Sequence, residues 1–463
     1  MPALALSRLA ARVVESGPDG DDLAPSAWQR LEELPDPRSP QGRIYPLACL
    51  VAIALCAFTA AGNDRLTAAG QWIGRASQAD LARLRAPWDP MAGRYRAPDE
   101  KTIRTVLDRL DPRALARALL GPRPRGGRRP GGPPSAGVRR YRARRAAQRA
   151  KMLARSRLRA IAVDGKTSRG ARRADGTRVH LLGAAEHGGH LLDHLEVGVK
   201  HNETSHFTEL LEPLDLAGAV VTFDALHTVR ANLDWLVTKK KAHYIAVVKR
   251  NQPLLHAQVR ALPWRQVPAG SVTRERGHGR AETRTLKAAH VSRLDFPCAR
   301  QAIKITRRRK DTATGRVSRE TVYAVTSLTS ADASAQDLAR LVREHWSTEA
   351  HHHVRDVTFS EDTPASRTGS GPANLATIRA AIIAAIKDAG YLHISEGRRD
   401  HTTPAETLRL HSLDQDTNGH SRITPEPWPA PTAASPPLGN FPRSQIVIAY
   451  FRSLIYSEMT LPA

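Results

Sequence analysis

Two apolar runs in this chain of 463 residues end in an aspartate: IAVD at Asp164, followed by Gly165, and VVTFD at Asp224. A carboxylate at the mouth of a buried strand is costly unless it is paired or metal-bound. On neighbouring strands the two would meet, and their mutual repulsion calls for a cation. A few hard oxygen ligands that leave room for phosphate suit Mg²⁺ or Mn²⁺. Glu349 is the natural third ligand. It lies in AQDLARLVREHWSTEAHHHVRDV, where Leu341, His345, Glu349 and His353 fall on one i, i+4 row of a continuous helix. Singly, each acid has a plainer reading: Asp-Gly is a common turn dipeptide, and a helical glutamate is usually solvated.

Other side chains cluster near these acids in sequence. Lys166 and His227 follow the aspartates, Lys249 and Arg250 end an apolar run, and Arg343 and His345 precede Trp346. They read as phosphate clamps or, equally, as salt-bridge partners. Trp346 reads as a core residue or as a stacking platform for an unpaired base. His351, His352 and His353 with Asp356 suggest zinc, but consecutive residues point around a helix, so zinc is not expected. Arg280, Glu282 and Arg284 alternate on one strand face, as a lining for DNA or as a charged sheet face.

The acids need strands and a helix to bring them together. LRAIAVDGK, HLLGAAEH and LLDHLEVGV read as three strands, the last two joined at Gly188-Gly189 as a hairpin. SHFTELLEPLDL reads as a helix, AVVTFDALH as a strand, TVRANLDWLVTKKK as a helix and HYIAVVKR as a strand. Three strands, helix, strand, helix, strand is the order of an RNase H-like domain. Residues 262–330 alternate apolar and polar as short strands. Helix returns from Ser334 to about Val357 and from Pro372 to Ala389.

Upstream, helices are expected over Ser26–Leu34, 44–61, Leu66–Leu84 and Asp99–Leu119. The charge-free stretch Ile44–Gly62 is nearly long enough to span a bilayer, but Pro46, its many small residues and the flanking Arg43, Asp64 and Arg65 favour a buried helix. The expected class is thus α/β. A helical N-terminal domain (25–120), taken as DNA-end binding, precedes a basic linker (121–157). An RNase H-like catalytic domain with a mixed five-stranded sheet (158–261 and 331–392) holds a β-rich insertion (262–330). A C-terminal extension (393–463) is expected to be irregular after 414.

Seventy Lys and Arg against 45 Asp and Glu leave a formal charge of +25. Such a surplus points to a polyanionic partner, because surface cations displace counterions condensed on phosphates. Attraction to an anionic membrane or a basic compositional bias would also produce it. Residues 121–160 carry fourteen Lys or Arg and no acid. Arg139, Arg140 and Arg142 open a basic helix there that would order best on a phosphate backbone, the plain alternative being a solvated linker. Three cysteines without a CxxC pair suit a reducing compartment, and the N-terminus lacks a signal-peptide apolar region. The expectation is a cytoplasmic, nucleoid-associated protein with double-stranded DNA as partner, no membrane and no small-molecule substrate.

IAVDGKTSRGA, VGVKHNETSHFTELLEPLDLAGAVVTFDALHT, YIAVVKRNQPLL and REHWSTEAHHHVRDVTFSEDTPASRTG resemble successive motif blocks of the insertion-sequence DDE transposases of the H-repeat-associated (ISAs-type) group. LEELPDPRSPQGRIYPLACLVAIALCAFTAAG and PDEKTIRTVLDRLDP resemble that group's N-terminal associated domain. The resemblance covers roughly residues 28–414. It implies an RNase H-like fold, Asp164, Asp224 and Glu349 as the catalytic triad, a divalent metal, and cleavage and joining of DNA by protomers paired as a dimer on the element ends. Two metals ~3.5–4 Å apart could clamp attacking and leaving oxygens of an in-line displacement. Thr348 and His351 stand where the group usually has Ile and Leu, and the segment after Asp414 matches nothing in it. A catalytically inactive DNA-binding derivative and a nuclease without joining activity are the alternative functions.

Overall fold

The computed structural model describes residues 26–121, 158–173, 175–198, 203–277, 279–363, 367–391 and 393–414. The basic segment with Arg139, Arg140 and Arg142, and everything after Asp414, lie outside the described residues.

The N-terminal part is built from α1 (Ala27–Glu32), α2 (Leu47–Thr59), α3 (Leu66–Gly74), α4 (Gln78–Arg83), α5 (Glu100–Arg109) and α6 (Pro112–Leu120). Two of the helices expected from the pattern are each split. Ser77 accepts the Asp80 N–H at 3.1 Å and so starts α4 anew. Asp111 accepts the Ala114 N–H at 2.6 Å, with Pro112 in the first turn of α6, where a missing N–H costs nothing. A small hairpin, β1 (Trp88–Asp89) with β2 (Arg94–Tyr95), interrupts the helices, so this part is not wholly helical as expected. All 13 residues of α2 are buried, which a helix apolar all round requires. Among the described residues no helix is long and apolar enough to cross a membrane.

The remaining strands are β3 (Ala160–Arg172), β4 (Arg178–Glu186), β5 (Leu191–Glu196), β6 (Val220–Phe223), β7 (His243–Val248), β8 (Ser271–Gly277), β9 (Arg280–His290), β10 (Gln301–Asp311) and β11 (Val317–Thr326). They form one sheet in the order β5-β4-β3-β6-β7-β11-β10-β9-β8. β3, β4 and β5 run antiparallel, and β3, β6 and β7 run parallel. The hairpin between β4 and β5 turns at Gly188 and Gly189, whose φ values of 124° and 86° lie in the region where a Cβ is strained. The sheet is nine-stranded, not five-stranded: the insertion does not form a separate layer. The apolar end of β11 pairs Tyr323–Thr326 with Val248–Ile245 and so continues the sheet past β7, removing what would be an exposed edge.

Helices α7 (Phe207–Leu211) and α8 (Arg230–Thr238) make the crossovers, α9 (Pro253–Ala261) follows β7, and α10 (Ala335–Glu344) covers the other side of the sheet. The helix expected over 334–357 breaks at His345–Trp346 and resumes as α11 (Ser347–Thr358). The Leu341–His345–Glu349–His353 row therefore does not run along one helix. At the break the His345 side chain is held under β6 by Thr222, while Trp346 is turned out to 52% exposure.

Next come α12 (Gly371–Asp388), α13 (Ile394–Asp400) and α14 (Pro404–Leu410). Sixteen of the 18 residues of α12 are buried, because the helix is walled on two sides. Ala373, Ala376 and Ala380 meet β3–β5, and Leu375, Ile378, Ile382 and Ile386 join the core of the N-terminal helices. Residues 27–119 thus share one core with the last three helices, sealed by Trp28 Nε1 donating to the Leu413 carbonyl at 2.8 Å. Buried Arg398 donates to the Thr59 and Ala60 carbonyls at the end of α2 and to the Thr358 carbonyl at the end of α11. It satisfies orphan carbonyls of both helices and fixes α11, the helix that carries Glu349.

Candidate active site

Val163 of β3 and Phe223 of β6 form the last parallel pair between these strands, and each is followed by an aspartate. Asp164 and Asp224 therefore sit side by side at the same level; Asp224 lies just past the end of β6, but β3 runs on through Asp164 to Arg172, so this aspartate is not at a strand end as expected. Each carboxylate is oriented by a local N–H: Asp164 Oδ1 accepts from Gly165 at 2.9 Å, and Asp224 Oδ1 from Leu226 at 2.8 Å. α11 approaches from above. Thr348, buried at its start, donates its hydroxyl to the His345 carbonyl at 2.9 Å and lies within hydrogen-bond reach of Asp164. His352 Nδ1 is 3.8 Å from Asp164 Oδ2.

The electrostatics link all three acids. Burial raises the Asp164 carboxyl above the ordinary range, and the charges of Asp224 and Glu349 raise it further. The Gly165 N–H and the Thr348 hydroxyl oppose this without cancelling it. Asp224 and Glu349 are exposed. Among the described residues, His352 is the only basic side chain at ion-pair distance from any of the three. Burial, then the nearby Arg355 and Lys166, hold the His352 imidazole down to about 3, so it is neutral at pH 7. Among the described residues no three His, Cys, Asp or Glu side chains stand in a ligand arrangement. Asp224 and Glu349 stand exposed beside the partly buried Asp164. Unneutralised carboxylates with hard oxygens fit a divalent cation in donor chemistry.

A buried polar chain fixes the level of α11 against β6. Thr222 Oγ1 meets His345 Nδ1 at 3.0 Å and His187 Nε2 at 2.8 Å, and His187 Nδ1 lies 3.7 Å from Glu344. Burial and the neighbouring His187 hold His345 down to about 4. Further along, Arg355 grips Glu361 through two hydrogen bonds of 2.6 and 2.5 Å, both side chains being buried. Burial alone would raise Glu361; Arg355 and Arg379 outweigh it and bring it to about 2. Asp362 accepts the Arg169 N–H at 3.0 Å, stitching the loop after α11 to β3.

The other side chains expected at the site divide. Lys249 and Arg250 are exposed just past β7. Arg343 is paired with Glu275. Trp346 is exposed, with the Arg307 guanidinium 5.5 Å from its ring centroid, so the core reading of this residue is wrong. Lys166 is buried with its ammonium on Asp356. His227 is 2% exposed and packs its ring against Phe207, inside the core and away from the rim. Sequence reasoning did not find Thr348, Thr222, His187, Arg355 or Glu361 as supports. Thr348 carried a signal, a hydroxyl beside the catalytic-type glutamate; a pair such as Arg355 and Glu361 becomes legible only once the chain turns back at Ser360, whose φ is 49°.

A family model described as "Transposase DDE domain" matches residues 155–384, and one described as "DDE_Tnp_1-associated" matches residues 28–121. The chain is 29% identical over 245 residues to YncI of Escherichia coli O157:H7, which carries a provisional transposase name; 49% of this chain and 62% of YncI are aligned. The chain thus spans about three-fifths of that relative's length. It is 27% identical over 319 residues to an uncharacterised protein from the dhlA 3′ region of Xanthobacter autotrophicus, covering 66% of this chain and 96% of that protein. The solved piggyBac transposase synaptic complex with hairpin DNA aligns with 83% of this chain and 87% of its own at 11% identity, with a TM-score of 0.35 that is too loose to assign anything. With both family matches in their expected order along the sequence, the chain belongs to the insertion-sequence DDE transposases and carries the associated domain at its N-terminal side.

Proposed function

We propose that this chain cleaves DNA at the ends of an insertion sequence and joins the freed 3′ ends to target DNA, with Asp164, Asp224 and Glu349 holding Mg²⁺ or Mn²⁺. The observation that carries the reading is geometric: the Val163–Phe223 register sets Asp164 and Asp224 side by side on adjacent strands, and among the described residues none of the three acids is neutralised by Lys or Arg. An order of three antiparallel strands followed by two parallel ones supports an RNase H-like core. Divalent cations, when bound, supply Lewis-acid activation of an attacking oxygen and neutralise charge on the phosphoryl group.

The chain's own residues position and exclude. Gly165 and Leu226 N–H groups fix the two aspartates, leaving their second oxygens for a ligand. The Thr222–His345 contact and the Arg355–Glu361 pair hold α11, and with it Glu349, against the sheet. Lys249, Arg250, Arg343 and Trp346, all exposed, would meet the DNA backbone and an unpaired base. The helical N-terminal part would take the element end, the basic segment at 121–157 would add phosphate contacts, and two protomers would pair the ends in the cytoplasm on nucleoid DNA.

Purified protein with Mg²⁺ and end-containing DNA should give 3′ nicks and a joined product. Asp164→Asn, Asp224→Asn and Glu349→Gln should each reduce both to background while duplex binding persists. Nicking without joining would point to a nuclease, and binding without cleavage by the parent to an inactive derivative.

A further inference from the structure

The sheet extension formed by β8–β11 has two chemically different faces. Strand alternation puts Arg284, Arg307 and Arg309 on one of them, around Glu282. The arginines of that cluster are paired with acids. All three guanidinium groups reach the buried Glu282 carboxylate, Arg307 at 2.8 Å and Arg309 at 3.1 Å, and Arg343 of α10 pairs with Glu275.

The opposite face carries Arg274 and Arg276 of β8, Arg308 and Lys310 of β10, and Arg319 of β11. All five are exposed, and among the described residues none forms an ion pair. No Asp or Glu occupies the cross-strand rows of this face. Arg308 and Arg319 are direct cross-strand partners, a like-charge juxtaposition that destabilises a sheet. Towards β7, the Lys304 ammonium is lowered first by burial and then by the neighbouring Lys287 and Arg319 cations. Charge of one sign is thus concentrated where the fold supplies no counter-charge, whereas on the other face Arg284, Arg307 and Arg309 each have the Glu282 carboxylate within ion-pair reach.

We infer that this acid-free face is a binding surface for the phosphate backbone of duplex DNA, read without regard to base sequence. Thr283, Thr306 and Thr321 lie between the cations, and their hydroxyls can donate to phosphate oxygens. A lipid surface is disfavoured, because the large apolar side chains exposed here are Val272 and Val317, without the aromatic and leucine residues that insert into lipid. The inference goes beyond the cleavage reading: the surface would bind duplex whether or not the acids cut it.

The test is a salt titration of full-length protein on a mixed-sequence duplex. The variant R274Q/R276Q/R308Q/R319Q should flatten the plot of log affinity against log salt by about 0.9 per lost contact, roughly 3 to 4 in all. A charge-matched variant, K239Q/R260Q/R265Q/R293Q, should leave the slope at its parental value. An unchanged slope in the first variant, or an equal change in both, would overturn the inference. So would loss of binding to phosphatidylserine vesicles with the DNA slope intact. Should the fourfold variant fail to fold, R308Q and R319Q singly should each flatten the slope by about 0.9. Asp224→Ala should keep the parental slope. An inactive parent with a responsive slope would therefore sink the cleavage reading and leave this surface standing, and the reverse result would do the opposite.

Discussion

Lys166 Nζ lies 2.6 Å from Asp356 Oδ1, joining β3 just past Asp164 to α11 beyond Glu349. The lysine is almost wholly buried, and the aspartate side chain is about one-third exposed. The pair acts as a strut between the two elements that present catalytic-type acids. Asp356→Asn leaves a buried ammonium without its counter-charge and should lower stability by about 3 kcal/mol, at the lower end for breaking a buried pair. Cleavage should fall further than the unfolded fraction explains, measured on the folded fraction at low temperature. Activity equal to the parent at equal folded fraction would show that the strut does not position Glu349.

The raised Asp164 carboxyl carries a sign for stability. An acid whose folded value lies above its unfolded one disfavours folding once it must ionise, so without cations this site costs stability at neutral pH and the cost fades as pH falls towards the ordinary aspartate range. Saturating Mg²⁺ should raise the melting temperature at pH 7, by the equivalent of about 2.7 kcal/mol at a hundredfold excess over Kd. Asp224→Asn removes one repelling charge: it should stabilise the cation-free protein and abolish the Mg²⁺ response. Differential scanning fluorimetry with and without Mg²⁺ checks both halves.

His194 is wholly buried, with Nε2 on the Thr377 hydroxyl at 2.7 Å, and burial holds it down to about 3 from 6.5. A histidine with a depressed folded value contributes stability that is complete above pH 6.5 and is lost as pH falls towards the folded value. The loss approaches about 1.4 kcal/mol per pH unit for one proton. Urea unfolding between pH 7 and pH 4 should show a shallower decline for His194→Gln than for the parent.

Trp346 exposes about half its surface, so Trp346→Ala should change stability by no more than about 0.5 kcal/mol. Stacking on an unpaired base would be worth about 1–3 kcal/mol. The variant should therefore bind DNA with an unpaired base near the cleavage point less well by that amount, with little change on intact duplex. Equal affinity of parent and variant for both DNAs, by fluorescence anisotropy, would remove the stacking role.

Much of the site was legible because an apolar run closed by an acid announces itself locally, even though β3 runs on past Asp164. An apolar run that stops at an acid, twice, marks Asp164 and Asp224 without knowledge of the rest, and Gly188-Gly189 marks the hairpin that sets β4 against β5. Lys166 and His227 were less legible. Both are polar residues next to a candidate acid, and only packing shows that one is absorbed by Asp356 and the other lies against Phe207.

Alternation of apolar and polar residues and the residues that punctuate it determined most of the order of helices and strands and the two aspartates that close apolar runs, and composition the surplus of positive charge. These follow from backbone and solvation preferences acting over a few residues. Tertiary structure decided that the insertion prolongs the sheet through β11, that the helix before Glu349 breaks so that Trp346 faces solvent, that the first and last helices share α12 as a core, and which face of the β8–β11 extension keeps its charge. Those outcomes depend on which sheet edge is unpaired and which acid reaches which cation. That competition is settled between residues far apart along the chain, where periodicity carries no information.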